Sequence, residues 1–218
     1  MKKDKSKKAN PITLKKDESK KAKPTTLNKE IAPVEMHKEV KQKEPMVLKE
    51  LSPYMTIVVH HLYKEGYFNF ANFAKGERFD LSWFDTEYAR KYILFAVQKF
   101  GKDKQEISKW LSGSDLKQVA MFGCPSFNRS IVIPSKRLRN FFSIPENTVC
   151  SKCVLRESCT FVNQSVWGSD TNKLDLAIVM KVICSYALFV DPELVVPDEL
   201  KNSVNRLLME VLKLSKTV

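Results

Sequence analysis

Cysteine is the residue type in this chain whose spacing most directly points to chemistry. Five are present, and four of them (Cys124, Cys150, Cys153 and Cys159) fall in the pattern C-x25-C-x2-C-x5-C. A C-x2-C pair bends the chain so that two thiolates face one centre, and thiolates are soft ligands suited to zinc or to iron–sulfur clusters. An odd count with one tight pair reads as metal ligation in a reducing, intracellular compartment, not as a disulfide framework. Structural zinc usually draws on two tight pairs. Here there is one, with a third sulfur six positions on and a fourth from a distant segment. That lopsided spacing favours a 4Fe–4S cluster, whose corners are spread more widely than the vertices around one ion, with Zn2+ as the alternative. Pro125 follows Cys124, as proline follows a ligand cysteine in ferredoxin runs. The competing reading is a set of buried, unliganded thiols with a coincidental C-x2-C. Cys184 stands apart in an apolar run and reads as a small hydrophobe.

The same stretch concentrates the charge. The chain carries 37 Lys and Arg against 25 Asp and Glu, a net of +12. Residues 1–50 hold 15 of the lysines, no arginine and 8 acidic residues, with four prolines and no aromatic residue. Such a segment cannot bury enough apolar surface to offset its ordering entropy, so a disordered Lys-rich tail is expected over 1–50. It lacks the apolar run of a secretory signal, and it is neither Arg-rich nor acid-poor as an organellar presequence is. Residues 51–218 are expected to form one helical domain with a net charge of +5. Arg129, Lys136, Arg137, Arg139, Lys152 and Arg156, against Glu146 alone, account for all of that excess. Closing the segment between Cys124 and Cys150 onto a metal would turn Arg129, Lys136, Arg137 and Arg139 into a fixed array suited to phosphate oxygens. Asn128, Asn140, Asn163 and Gln164 are placed to add hydrogen bonds to sugar or base edges, and Phe127, Phe141, Phe142 and Phe161 to add stacking or core. The plainer reading of the patch is a solvated cationic loop.

The elements that must position these residues read as helices. Ser52-Pro53 caps a helix over about 54–64 that ends at Gly66. Periodic apolar residues run from Thr86 to Phe100, with Gly101 as the expected stop. Asp103 and Glu106 resemble a capping box, and Ser114 is the expected cap of a helix closed by Gly123. The two short helices joined at 112–114 offer too few polar residues for a helix-turn-helix reader and are read as packing. A brief basic helix is expected over Lys136–Phe142 after Pro134, a buried central helix over Lys173–Val190, and a last one from Pro197. Ser130–Ile133 is the one strand candidate, so the fold class expected is all-α. Seven aromatics between Tyr67 and Phe84 read as core before they read as a base-stacking surface. Lys181 within the central apolar helix argues against a membrane span.

The cysteine spacing resembles two groups of nucleic-acid enzymes. Base-excision glycosylases of the endonuclease-three type carry C-x6-C-x2-C-x5-C, and RecB-type nucleases with an iron staple carry a remote cysteine before C-x2-C-x5-C. Cys150, Cys153 and Cys159 match the tight half of both, and Cys124 stands for the remote ligand. The glycosylases' Gly-rich hairpin and the nucleases' carboxylate cluster have no counterpart here. The resemblance therefore implies an architectural cluster that ties a loop in place and presents cations to a phosphate backbone, without catalysis.

Other chemistry finds no support. None of the six glycines forms a G-x-G-x-x-G or phosphate loop, and G-x-S-x-G, H-E-x-x-H and EF-hand patterns are missing. His60 and His61 are adjacent on a helix and point about 100° apart, too far to grip one metal easily. No catalytic residues are assigned. The function expected is a non-enzymatic, metal-stapled module that binds nucleic acid, RNA before DNA, within an organellar ribonucleoprotein or RNA-processing assembly. Mitochondrion, plastid, nucleus and cytosol are all compatible with it. The rival is a helical protein-interaction subunit with a purely structural metal site.

Overall fold

The computed structural model describes residues 50–74, 78–166 and 172–217; apart from Glu50, the segment expected as a tail lies outside them. Among the described residues there are seven α-helices, two short 3-10 turns and no strand, so the chain is all-α. No helix among them is long and apolar enough to cross a membrane.

Capping explains most of the starts. Ser52 accepts from the Met55 N–H to open α1 (Pro53–Lys64), with proline in the first turn. Thr86 does the same for α2 (Glu87–Asp103) through the Ala89 N–H. Ser112, two residues before the expected Ser114, caps α3 (Gly113–Phe122). Asp175 accepts from Ala177 and Ile178 to open α6 (Leu176–Leu188), and α7 (Asp198–Leu214) follows Pro197. The expected capping box fails: α2 runs on through Asp103, and the following turn (Gln105–Lys109) has no side-chain cap.

Gly101 is not the stop either. It lies inside α2, and a Cβ there would sit 2.6 Å from the Ala177 Cα and 2.7 Å from its nitrogen. Glycine is needed because α2 and α6 approach backbone to backbone, and their contact is the most extensive between helices. Gln105 locks the same junction, donating to the Leu174 carbonyl at 2.7 Å and accepting from the Leu176 N–H at 3.0 Å. Around this pair the core closes with Val58, Leu62, Phe84, Leu116, Leu207 and Val211, all essentially inaccessible. Of the aromatics between Tyr67 and Phe84, Phe68 and Phe84 are buried and meet edge to face, while only Phe70 stands in solvent. His61 pairs with Ser215 at 3.2 Å, and His60 stacks on Phe79. Gln118 on α3 is tied to Ser203 of α7, in keeping with packing and not groove reading.

The larger correction is at residues 129–142. The strand candidate and the brief helix are one helix, α4 (Arg129–Phe141), which passes through Pro134. Asn128 caps it by accepting from the Ser130 N–H at 2.9 Å. Proline has no N–H to return to the Ser130 carbonyl, but Ser130 sits in the solvent-exposed first turn, where that loss is cheap. One turn later the Ser135 hydroxyl donates to the Ile131 carbonyl at 3.0 Å, as a mid-helix serine does. The short α5 (Glu146–Cys150) completes the set.

Replacing Gly101 with alanine tests the close approach. Helix propensity alone would stabilise by about 1 kcal/mol, whereas overpacking against an immobile backbone costs about 1–3 kcal/mol. The expected outcome is net destabilisation, read as a lower urea midpoint with unchanged slope.

Candidate metal centre

Each cysteine is placed by a distinct local device. Cys124 follows Gly123, whose φ of 132° is open to glycine and ends α3. The next residue is anchored across the fold, its carbonyl accepting from the Asp191 N–H at 2.8 Å. Cys150 closes α5, and the chain then coils through consecutive tight turns. Cys153 N–H donates to the Cys150 carbonyl at 3.3 Å, Arg156 N–H to Cys153 at 3.2 Å and Cys159 N–H to Arg156 at 3.2 Å. These turns bring the three clustered cysteines into the lining of a cavity that Cys124 also lines. The cavity volume is about 30 Å³, partly open to solvent, with Val132, Val149, Leu155 and Val162 as its apolar wall. All four thiols expected to act together thus line a common cavity. They do not close on a point: among the described residues no group of His, Cys, Asp or Glu is set to hold a single metal ion. Cys184 is fully buried in α6, away from that lining, and burial pushes its thiol well up.

Two cations enter the same cavity from α4. Lys136 and Arg139 lie three residues apart on one helix face, with side chains 1% and 0% exposed. Lys136 Nζ donates to Glu146 Oε2 at 2.8 Å and to the Gln164 carbonyl at 2.8 Å. Arg139 grips the same carboxylate through Nε at 3.2 Å and Nη2 at 3.0 Å, and Nη2 also reaches Cys124 Sγ at 3.5 Å. Cys150 Sγ lies 3.8 Å from Glu146 Oε2. Burial works against the Arg139 charge, but Cys124 and Glu146 outweigh it and hold the guanidinium firmly protonated. Burial pushes the Cys124 thiol up, partly offset by Arg139, and it pushes the Cys153 thiol up with a smaller offset from the Leu155 backbone. Two buried basic side chains share the one carboxylate of Glu146, so their ionic partners leave one positive charge over. Burying such a charge costs several kcal/mol unless an anion answers it.

This arrangement corrects the expected cationic surface. Of the six basic residues, Arg129, Lys152 and Arg156 are exposed and Arg137 is half-buried, its Nε without a partner among the described residues. Lys136 and Arg139 are turned inward and cannot meet a phosphate backbone. The amides divide similarly: Asn140 donates to the Val166 carbonyl and Gln164 to that of Thr160, so both serve the loop that covers α4. Asn163 is exposed, with a φ of 55°. Phe127 is exposed, whereas Phe141 and Phe142 are half-buried and meet edge to face. The residue that sequence reasoning passed over is Glu146. Its signal was present: one acid amid six bases, seven residues beyond an arginine that shares a helix face with a lysine.

The fold and this cavity define an all-α chain with a cysteine-lined, cationic interior site. No protein-family model, no curated protein and no solved structure matches the chain.

Glu146→Gln keeps the shape and removes the charge that Lys136 and Arg139 share. Breaking a buried pair in this way costs about 3–5 kcal/mol. The metal-free variant is therefore expected to show a strongly lowered denaturation midpoint, far outside the range of a surface substitution such as Glu106→Gln, where Lys109 is an exposed partner.

Proposed function

We propose that the chain is a non-enzymatic module whose four-cysteine cavity holds a metal centre, a 4Fe–4S cluster in preference to zinc, and whose outer face binds RNA. The observation that carries the reading is the coincidence of four thiols with a buried excess of positive charge around one cavity. Four thiolates around either metal centre bring net negative charge, and that is the charge the interior lacks. Cys124, Cys150, Cys153 and Cys159 would supply the ligands. The preference for a polynuclear centre over one tetrahedral ion rests on the sequence spacing, one tight C-x2-C pair with two further cysteines at unequal distances. With the loop tied to the centre, Arg129, Lys152 and Arg156 are the cations free to meet phosphates, and Phe127 beside them is exposed for stacking. Such a module suits a ribonucleoprotein or RNA-processing assembly.

A second reading, a docking subunit for another protein, is favoured by one observation. Tyr88 and Phe95 lie on one face of α2 at 56% and 58% exposure, and Phe70 is exposed beyond the buried aromatics.

Anaerobically purified full-length protein is expected to contain iron and acid-labile sulfide and to be brown; one equivalent of zinc would select the alternative, and neither metal would remove the centre. For the outer face, log K for single-stranded RNA should fall with log salt. Neutralising Arg129, Lys152 and Arg156 together should reduce that slope by about 2, at roughly 0.7 per phosphate contact. An unchanged slope and affinity would transfer the assignment to protein docking.

A further inference from the structure

Two buried donors have no acceptor among the described residues, and one of them, Arg139, lines this cavity. Arg139 Nη1 is inaccessible and unpartnered, although Nε and Nη2 of the same group are fully engaged. The Tyr186 hydroxyl on α6 is likewise inaccessible and unpartnered. Its ring is fixed by Phe122, whose centroid lies 6.1 Å away edge to face. The charged and ionisable groups within its electrostatic reach are Cys124, Arg139 and Cys153. A buried donor left unpaired costs about 1–3 kcal/mol, so each calls for a missing acceptor. The cavity that Arg139 lines presents cysteine sulfur as a candidate acceptor.

Resting on the metal-centre reading above, we infer that Arg139 and Tyr186 donate hydrogen bonds to the sulfur atoms of the centre and hold it in the protein. These sulfurs are the thiolates of Cys124 and Cys153 and, in a cluster, its inorganic sulfides. Neither residue is a ligand. Both act on the ligands, from α4 and α6 on two sides, and both become satisfied only when the centre is present. Outer partners of this kind typically change metal affinity by about 10–100-fold.

The test uses the full chain loaded with iron and sulfide, or with zinc if zinc is what it carries. Tyr186→Phe removes one hydroxyl and keeps the ring on Phe122; Arg139→Lys keeps the charge and removes the fork. The rate of metal loss to an excess of chelator is expected to rise about tenfold or more in each variant, with a shift in the thiolate-to-metal absorption bands. Wild-type protein that takes up no metal overturns the metal-centre reading and this inference with it. A loaded Tyr186→Phe variant with unchanged loss rate and spectrum overturns the inference alone and leaves the centre in place. Should Arg139→Lys fail to fold, Tyr186→Phe decides the matter, since its denaturation midpoint without metal should match or exceed the wild type's once an unpaired hydroxyl is gone.

Discussion

The shared carboxylate of Glu146 is the constraint on which the cysteine region depends. It is 9% exposed and answers both Lys136 and Arg139, which have no other acidic partner among the described residues. A buried carboxylate with one cation would be a closed, self-sufficient pair. Adding a second cation makes the group incomplete, and its incompleteness points toward the thiols, because Arg139 Nη2 already reaches Cys124 while Glu146 reaches Cys150. Under the proposed function, charge as well as sulfur spacing suits this cavity to an anionic occupant. Apolar side chains at 136 and 139 would have closed α4 onto α5 at lower cost.

The rest of the helical body serves to hold α4 in register. α6 is buried on nearly every side and touches both α2 and α4, so it relays the position of one to the other. On the α2 side the fit is set by Gly101, where no side chain intervenes. Tyr186 of α6 packs edge to face on Phe122 at the end of α3. The turn after α4 is equally determined: Ser143 adopts a φ of 52°, and the Ile144 N–H returns to the Arg139 carbonyl at 3.0 Å. That reversal brings Glu146 back alongside Arg139 within seven residues, which a longer connection would leave to chance.

Helix existence was legible because it rests on local signals: Ser52, Thr86 and Asp175 each present a side-chain oxygen at a helix start. Misplaced boundaries came where a tertiary demand outweighed a local one. Gly101 carries the usual mark of a helix stop yet answers to α6, and Pro134 carries the mark of a break yet sits early enough in α4 for the exposed first turn to absorb the lost hydrogen bond. The four spaced cysteines line one cavity, but among the described residues they form no group set to hold a metal ion. The orientation of the cations was not legible, because a basic run looks the same whether it faces water or a buried acid. Only the helical phase separates them: reading 129–142 as one helix puts 132, 136 and 139 on an inner face and 129, 133 and 137 on an outer one.

That division of phase has a consequence for how interior and surface cooperate. Lys152 and Arg156, the exposed cations, belong to the same chain of turns as Cys150, Cys153 and Cys159. Those turns have only three-residue hydrogen bonds and no packed helix to stiffen them, so their stability falls to Leu155, the buried residue between the last two cysteines, and to whatever joins the sulfurs. A centre bound by all three would cross-link every turn in the series. Its loss would free Lys152 and Arg156 together while leaving Arg129, on the rigid end of α4, where it is. Under the proposed function, occupancy of the interior site would be coupled to the geometry of the cationic face through these turns, and a metal-dependent affinity for a polyanion would follow.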